Sequence, residues 1–201
     1  MVSKPRSQAA RSGDTTDALV RAARGLFAEH GFAGVGTEVI VRAAGVTRGA
    51  MYHHFADKAE LFAAVLETVE GEVTARIGAV VAASGASDPI AVMRLGAGTW
   101  LDVCAEPEVH RIVLVDAPAV LGWQRWREIG LRYGMGLVHG LIAHAIEVGR
   151  IPAQPVEPLA HVVIGALDEA ALYIARADDR ARARREVGAV IDNLITSIAT
   201  E

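Results

Sequence analysis

Tyr52-His53-His54-Phe55 concentrates ring-bearing side chains in a 201-residue chain whose aromatic content is only 5%. Adjacent histidines could ligate a metal or move protons near neutral pH. The same run, preceded by Gly45-Val46-Thr47 and Arg48 and followed by Lys58, could instead lie along a nucleic acid. A tyrosine hydroxyl and cationic side chains suit phosphate oxygens, and side chains on the same helix face reach base edges. Catalytic alternatives elsewhere are weaker. His139 and His144 are five apart, about 140° round a helix, so they make no metal pair. His110, Asp116 and Glu108 lack a hydrolase or nucleotide-binding context, and the 20 glycines are scattered rather than gathered into a phosphate cradle. We therefore expect no enzyme, no metal and no cofactor.

The elements around this run are helical. Leu19, Ala22, Ala23, Leu26 and Phe27 follow the i, i+3, i+4, i+7, i+8 spacing of one apolar face, and Gly31 should end that helix. A short helix over 37–44 buries Ile40, Val41 and Ala44. Gly45 suits the left-handed position at its end, Val46 plugs the angle to the next helix, and Thr47 caps a helix over 48–54. Helix, Gly-containing turn and helix make a helix-turn-helix. Gly49 would let the two backbones approach, and Met51 and Phe55 would form the buried side. Arg48, Ala50, Tyr52 and His53 then face solvent, placed to meet a major groove. Asp57 and Glu60 have capping-box spacing for a fourth helix running to about 83, roughly 40 Å long. Further helices are expected at 89–105 (behind Asp88-Pro89), 107–115, 119–148, 158–177 and 180–199, with a break over 149–158. No strand alternation occurs, so the chain is all-α.

Charge divides along the same line. Residues 1–60 hold eight Lys/Arg and six Asp/Glu, net +2, whereas the rest hold twelve and eighteen, net −6. A basic head on an acidic body fits DNA binding at one end. The single Cys104 excludes an internal disulfide and suits a reducing compartment. No apolar run approaches the ~18 residues of a membrane span, and no secretory signal precedes Thr15. The expected protein is cytoplasmic, with a mobile tail at 1–13, a DNA-binding domain at 14–60 and a body at 61–201. The tail's Lys4, Arg6 and Arg11 could reach a minor groove or do nothing.

Phe27, Gly31-Phe32, Ile40, Ala44-Gly45-Val46-Thr47, Gly49, Tyr52, His54-Phe55, Lys58 and Leu61, in that order and without insertion, resemble the TetR family of bacterial transcriptional regulators. The resemblance covers about residues 15–62. It implies a homodimeric repressor with an N-terminal three-helix DNA-binding domain and a C-terminal helical domain for a small inducer and for dimerisation, acting on a palindromic double-stranded operator. It assigns a phosphate contact to Tyr52 and implies a structural or phosphate-facing place for His54. Lys58 should also bind phosphate, and His53 should touch DNA. Arg48 could read a guanine or pair with a phosphate, and Ala50 could offer its methyl to a thymine. Two departures matter, of which Val41 in place of a usual Ala should alter packing rather than function. The family's usual Thr/Ser pair entering the second helix is replaced by Val35 and Gly36, so Thr37 takes the cap contact in a weaker or shifted form.

In the body, Trp100, Trp123 and Trp126 with Tyr133, Met135, Cys104 and Leu114 could line a pocket for an apolar, ring-bearing effector. An inward Asp102, Asp168 or Glu169 would favour a cationic one. Val163, Leu167, Ala171 and Ile174 on one helix, with Val187, Val190, Ile191, Leu194 and Ile198 on the last, are expected at the dimer interface that the family builds from such a pair. A constitutive DNA-binding protein without an effector is the competing reading, and a small helical enzyme a remote one.

Overall fold

Among the described residues, 8–200 of a computed structural model, all regular structure is helical. Helix α1 spans Gln8–Gly34 and kinks at Gly31, whose φ of 72° and ψ of 164° leave the helical region. Glycine takes this backbone without strain, and a Cβ there would also lie 2.9 Å from a guanidinium nitrogen of Arg111. The expected tail is shorter than residues 1–13: Gln8 onward is already helical, and residues 1–7, with Lys4 and Arg6, lie outside the described residues.

Helices α2 (Thr37–Ala44) and α3 (Arg48–His54) meet at Gly45, left-handed at φ 68°. Helix α4 (Lys58–Ser84) is capped by Asp57, whose carboxylate accepts from the Glu60 amide at 2.9 Å. The head closes on an apolar centre of Leu19, Phe27, Ile40, Met51, Leu61 and Phe62, each fully buried. Rings of Phe27, Phe32 and Phe62 meet with centroids 5.3–5.6 Å apart, an arrangement that adds to the burial of each ring. Gly49 has no close neighbour beyond Thr47 Oγ1, 3.9 Å from where a Cβ would stand, so the expected close helix approach does not occur there.

The body follows: α5 (Pro89–Cys104), a short α6 (Pro107–Val109) running into a π-helical segment His110–Asp116, then α7 (Ala117–Leu121), α8 (Trp123–Glu147), α9 (Val156–Arg176) and α10 (Arg180–Ser197). The single helix expected over 119–148 is broken. Gly122, at φ 79° and ψ 159°, separates α7 from α8. Helix α4 continues from the head into this layer, burying Leu66, Val69, Val73 and Ile77 against it. Helix α9, with 21 residues and a mean hydropathy of 1.4, is long and apolar enough to cross a membrane, which corrects the expectation that no stretch qualifies. It packs on α8, α10 and α5, and its remaining apolar face is exposed.

Candidate DNA-binding face and ligand cavity

Helix α3 presents Arg48, Tyr52 and His53 to solvent while Met51 is fully buried beneath. Thr47 Oγ1 accepts from the Ala50 amide at 3.1 Å and fixes the start of the helix. Arg48 lies 5.6 Å from the Tyr52 ring centroid and 3.4 Å from Glu38 on α2. Both partners of that ion pair are exposed, so it holds Arg48 weakly and leaves it free to exchange Glu38 for a phosphate or a base edge. His54 turns back toward α1, its Nδ1 3.4 Å from Thr16 Oγ1. No group of three or more His, Cys, Asp or Glu able to hold a metal occurs among the described residues.

Two expectations change here. Thr37 is the first residue of α2, and the cap position belongs to Gly36, which makes no side-chain cap bond. The Val39 amide turns instead to the Gly36 carbonyl at 3.1 Å. Lys58 does not reach outward. Its Nζ donates to the carbonyls of Phe32 and Val35 at 2.9 and 2.8 Å and sits 4.0 Å from the Phe32 ring centroid. The Phe32 carbonyl also accepts from the Val35 amide at 3.4 Å, and Lys58 clasps the α1–α2 link.

The body holds a cavity of about 100 Å³ between α4, α5, α8, α9 and α10. Trp100, Trp126 and Asp168 line it as expected. Cys104, Leu114, Trp123 and Tyr133 do not. Cys104 and Leu114 are buried elsewhere in the core, Trp123 is 57% exposed and leans on Trp126, and Tyr133 packs toward Gly71. Their apolar character fits core or surface equally, and only packing assigns it. Val163 and Leu167, expected at a dimer interface, also line the cavity. Gly96, Gly130 and Gly134 open its walls.

Its polar groups are few. Asp168 is bonded to Arg127, and burial pushes its carboxyl up to about 6 against the pull of that guanidinium. Glu70 of α4 is 5% exposed, and burial, followed by the charge of Asp168, lifts it to about 7. Sequence reasoning missed Glu70. Its signal was a lone acid at i+1 after Val69 and i−3 before Val73, on the apolar side of α4. Of the other acids weighed, Asp102 is exposed and paired with Arg184 at 2.7 Å, and Glu169 faces solvent.

Head and body are joined by polar contacts as well as by α4. Arg24 of α1 donates to both Glu108 oxygens at 2.8 and 2.9 Å and to Glu72 at 2.8 Å. Asp116, at the end of the π-helical segment, accepts from the Phe32 amide at 2.8 Å. Arg125 grips Glu60 through two bonds of 2.5 and 2.7 Å. Glu108 and Asp116, unsuited to catalysis, are thus couplings between the two parts.

Of the nine residues expected at the dimer interface, Val190 and Leu194 are exposed at 57% and 49% and Val187 and Ile198 are half-buried. Ala171, Ile174 and Ile191 are buried within the subunit. The exposed apolar positions of α9 are instead Val162 and Tyr173, at 67% and 58%.

A helix-turn-helix head, one continuous helix into an all-helical body and an internal apolar cavity define a DNA-binding regulator with room for a small molecule. Residues 19–65 match the model of the bacterial regulatory proteins of the tetR family, and residues 90–198 match the tetracyclin repressor-like C-terminal domain. The chain belongs to the TetR family of transcriptional regulators. It is 32% identical to a TetR-family regulator of Pectobacterium atrosepticum whose crystal structure superposes with a TM-score of 0.85, covering 98% of this chain and 99% of that one. It is 26% identical to the transposon Tn10 TetC protein of Escherichia coli over 155 residues, 75% of each chain. The regulator CymR of Pseudomonas putida is 42% identical over 76 residues, 38% of this chain and 37% of that protein. RolR, solved in complex with resorcinol, shares the fold at a TM-score of 0.73 and 21% identity, covering 93% of this chain and 90% of that one.

Proposed function

We propose that this regulator is a cytoplasmic homodimeric repressor, released from a palindromic operator when a small ring-bearing effector, apolar or cationic, occupies the body cavity. The observation that carries this reading is that α4 belongs to both sites. Its first turns pack in the head against α1, on which the recognition helix also rests, through the buried Leu61 and Phe62, and Glu70, Thr74 and Ile77 further along it line the cavity. A ligand that moves these residues tilts one rigid element common to both ends. The repressors among the curated relatives and the resorcinol complex of RolR support the same reading. The cavity's volume of about 100 Å³ favours a single ring over a long chain. The exposed Val190, Leu194, Val162 and Tyr173 on α9 and α10 supply the apolar face a partner subunit would cover.

Linkage sets the requirement. An effector that binds the released geometry about 1.4 kcal/mol better than the operator-bound one weakens DNA binding tenfold, and the operator must weaken effector binding by the same factor. The test titrates a ring compound against the protein with and without an operator fragment selected from random DNA. Tryptophan quenching and DNA release are expected over the same concentration range. Ligand affinity that is identical with and without operator would sink the induction model and leave a constitutive DNA-binding protein.

A further inference from the structure

Glu70 is the one feature of the cavity that an apolar ligand does not explain. Glu70 is 5% exposed, lines the cavity and has no hydrogen-bond or ion-pair partner among the described residues. The neighbouring acid differs: Asp168 is already bonded to Arg127, which also donates to the His161 carbonyl. The cavity's single guanidinium is therefore engaged, and an anionic ligand would have to displace Asp168 and then face Glu70. Gly130 opposes Glu70, a Cβ there standing 3.9 Å from Glu70 Oε1, so that no longer side chain from α8 covers the carboxylate. Apart from Thr74, one turn further along α4, the other walls are mainly apolar or indole, among them Ile77, Trp100 and Trp126.

A carboxylate in such walls has two ways to escape its desolvation: it takes a proton, or it meets a cation. Indole faces reinforce the second. We propose that the cavity selects a small aromatic monocation of the arylalkylammonium class, its ammonium paired with Glu70 and its ring against Trp100 and Trp126. This rests on the reading that the cavity is the effector site, and it names the effector's charge.

The groups that bear on Glu70 are Asp168 of α9, Arg127 and Tyr133 of α8 and Cys104 of α5; α10 contributes Ile195 and no titratable group to the lining. Without ligand, Glu70 holds its proton up to about pH 7. The bound ammonium needs the carboxylate, so binding releases that proton to solvent. Affinity should fall about twofold between pH 8 and 7 and about fivefold between pH 7 and 6, and level off above pH 8.

The experiment uses three probes of similar size and different charge: benzylammonium, benzyl alcohol and benzoate, read by calorimetry and tryptophan quenching at pH 6, 7 and 8. Benzylammonium should bind at least tenfold more tightly than either other probe at pH 8, lose about tenfold between pH 8 and 6, and show a buffer-dependent heat from the released proton. Glu70→Gln should abolish both the charge preference and the pH dependence, and Glu70→Asp should retain them, which separates the role of the charge from any effect on folding. Tighter binding of benzyl alcohol or benzoate, or benzylammonium affinity that is flat from pH 6 to 8, overturns the proposal. If benzyl alcohol releases DNA as well as benzylammonium does, the charge assignment fails while induction stands. If benzylammonium binds as described without releasing DNA, induction fails while the charge assignment stands.

Discussion

Tyr52 is 43% exposed on the outer side of α3, whereas Lys58, six residues on, has two of its ammonium donors spent on backbone carbonyls. The two residues should therefore behave oppositely when truncated. Tyr52→Ala should weaken binding to matched and unmatched DNA alike, because phosphate contacts position the protein without specifying sequence. Lys58→Ala should leave the salt dependence of DNA binding unchanged and lower stability by about 1.5–3 kcal/mol, the range for hydrogen bonds to a charged group. Denaturation melts and binding titrations at two salt concentrations separate them. A shallower salt slope in Lys58→Ala with unchanged stability would restore it as a phosphate ligand.

At the scale of elements, α8 is a long helix that carries glycine where it passes the cavity. Gly134 lines the cavity, and a Cβ placed on it meets nothing within 4 Å. Gly134→Ala should thus gain helix propensity without a clash, up to about 1 kcal/mol. Gly134→Leu should fill the space instead, giving a protein that still binds DNA and that no ring compound releases. Unaltered effector response in Gly134→Leu would show that the effector binds elsewhere. The α1 contacts with the segment that includes Glu108 and Asp116 are the second route between the halves, parallel to α4. A π-helical segment interrupts the regular hydrogen-bond ladder there, as is frequent at functional sites.

For the whole molecule, the outward apolar residues of α9 and α10 predict the assembly. Leu194 is 49% exposed, so Leu194→Arg should fold as a subunit yet fail to dimerise. Light scattering should report half the wild-type mass, with operator affinity falling sharply. A dimer holds two recognition helices about 34–36 Å apart in successive major grooves, and a monomer engages only one. A wild-type protein that is monomeric at micromolar concentration would refute this assembly.

Local chemistry alone determined much of this protein. The left-handed Gly45, the caps at Thr47, Asp57 and Asp88, the outward Arg48, Tyr52 and His53 and the buried Met51 depend on neighbours within a few residues, and the sequence shows those neighbours. Tertiary packing decided the rest. Helix α9 is apolar on more than one side, so periodicity could not tell that Val163 and Leu167 face the cavity while Val162 and Tyr173 face out. Of three similar indoles only two line the cavity, because the break at Gly122 places Trp123 at the exposed start of α8. Lys58 is held by carbonyls 23 and 26 residues away, Glu70 is buried by α8 and α9, and Asp116 reaches an amide 84 residues distant. Each of these roles is set by a partner remote in the chain, and residue type carries no record of which remote group folding will bring alongside.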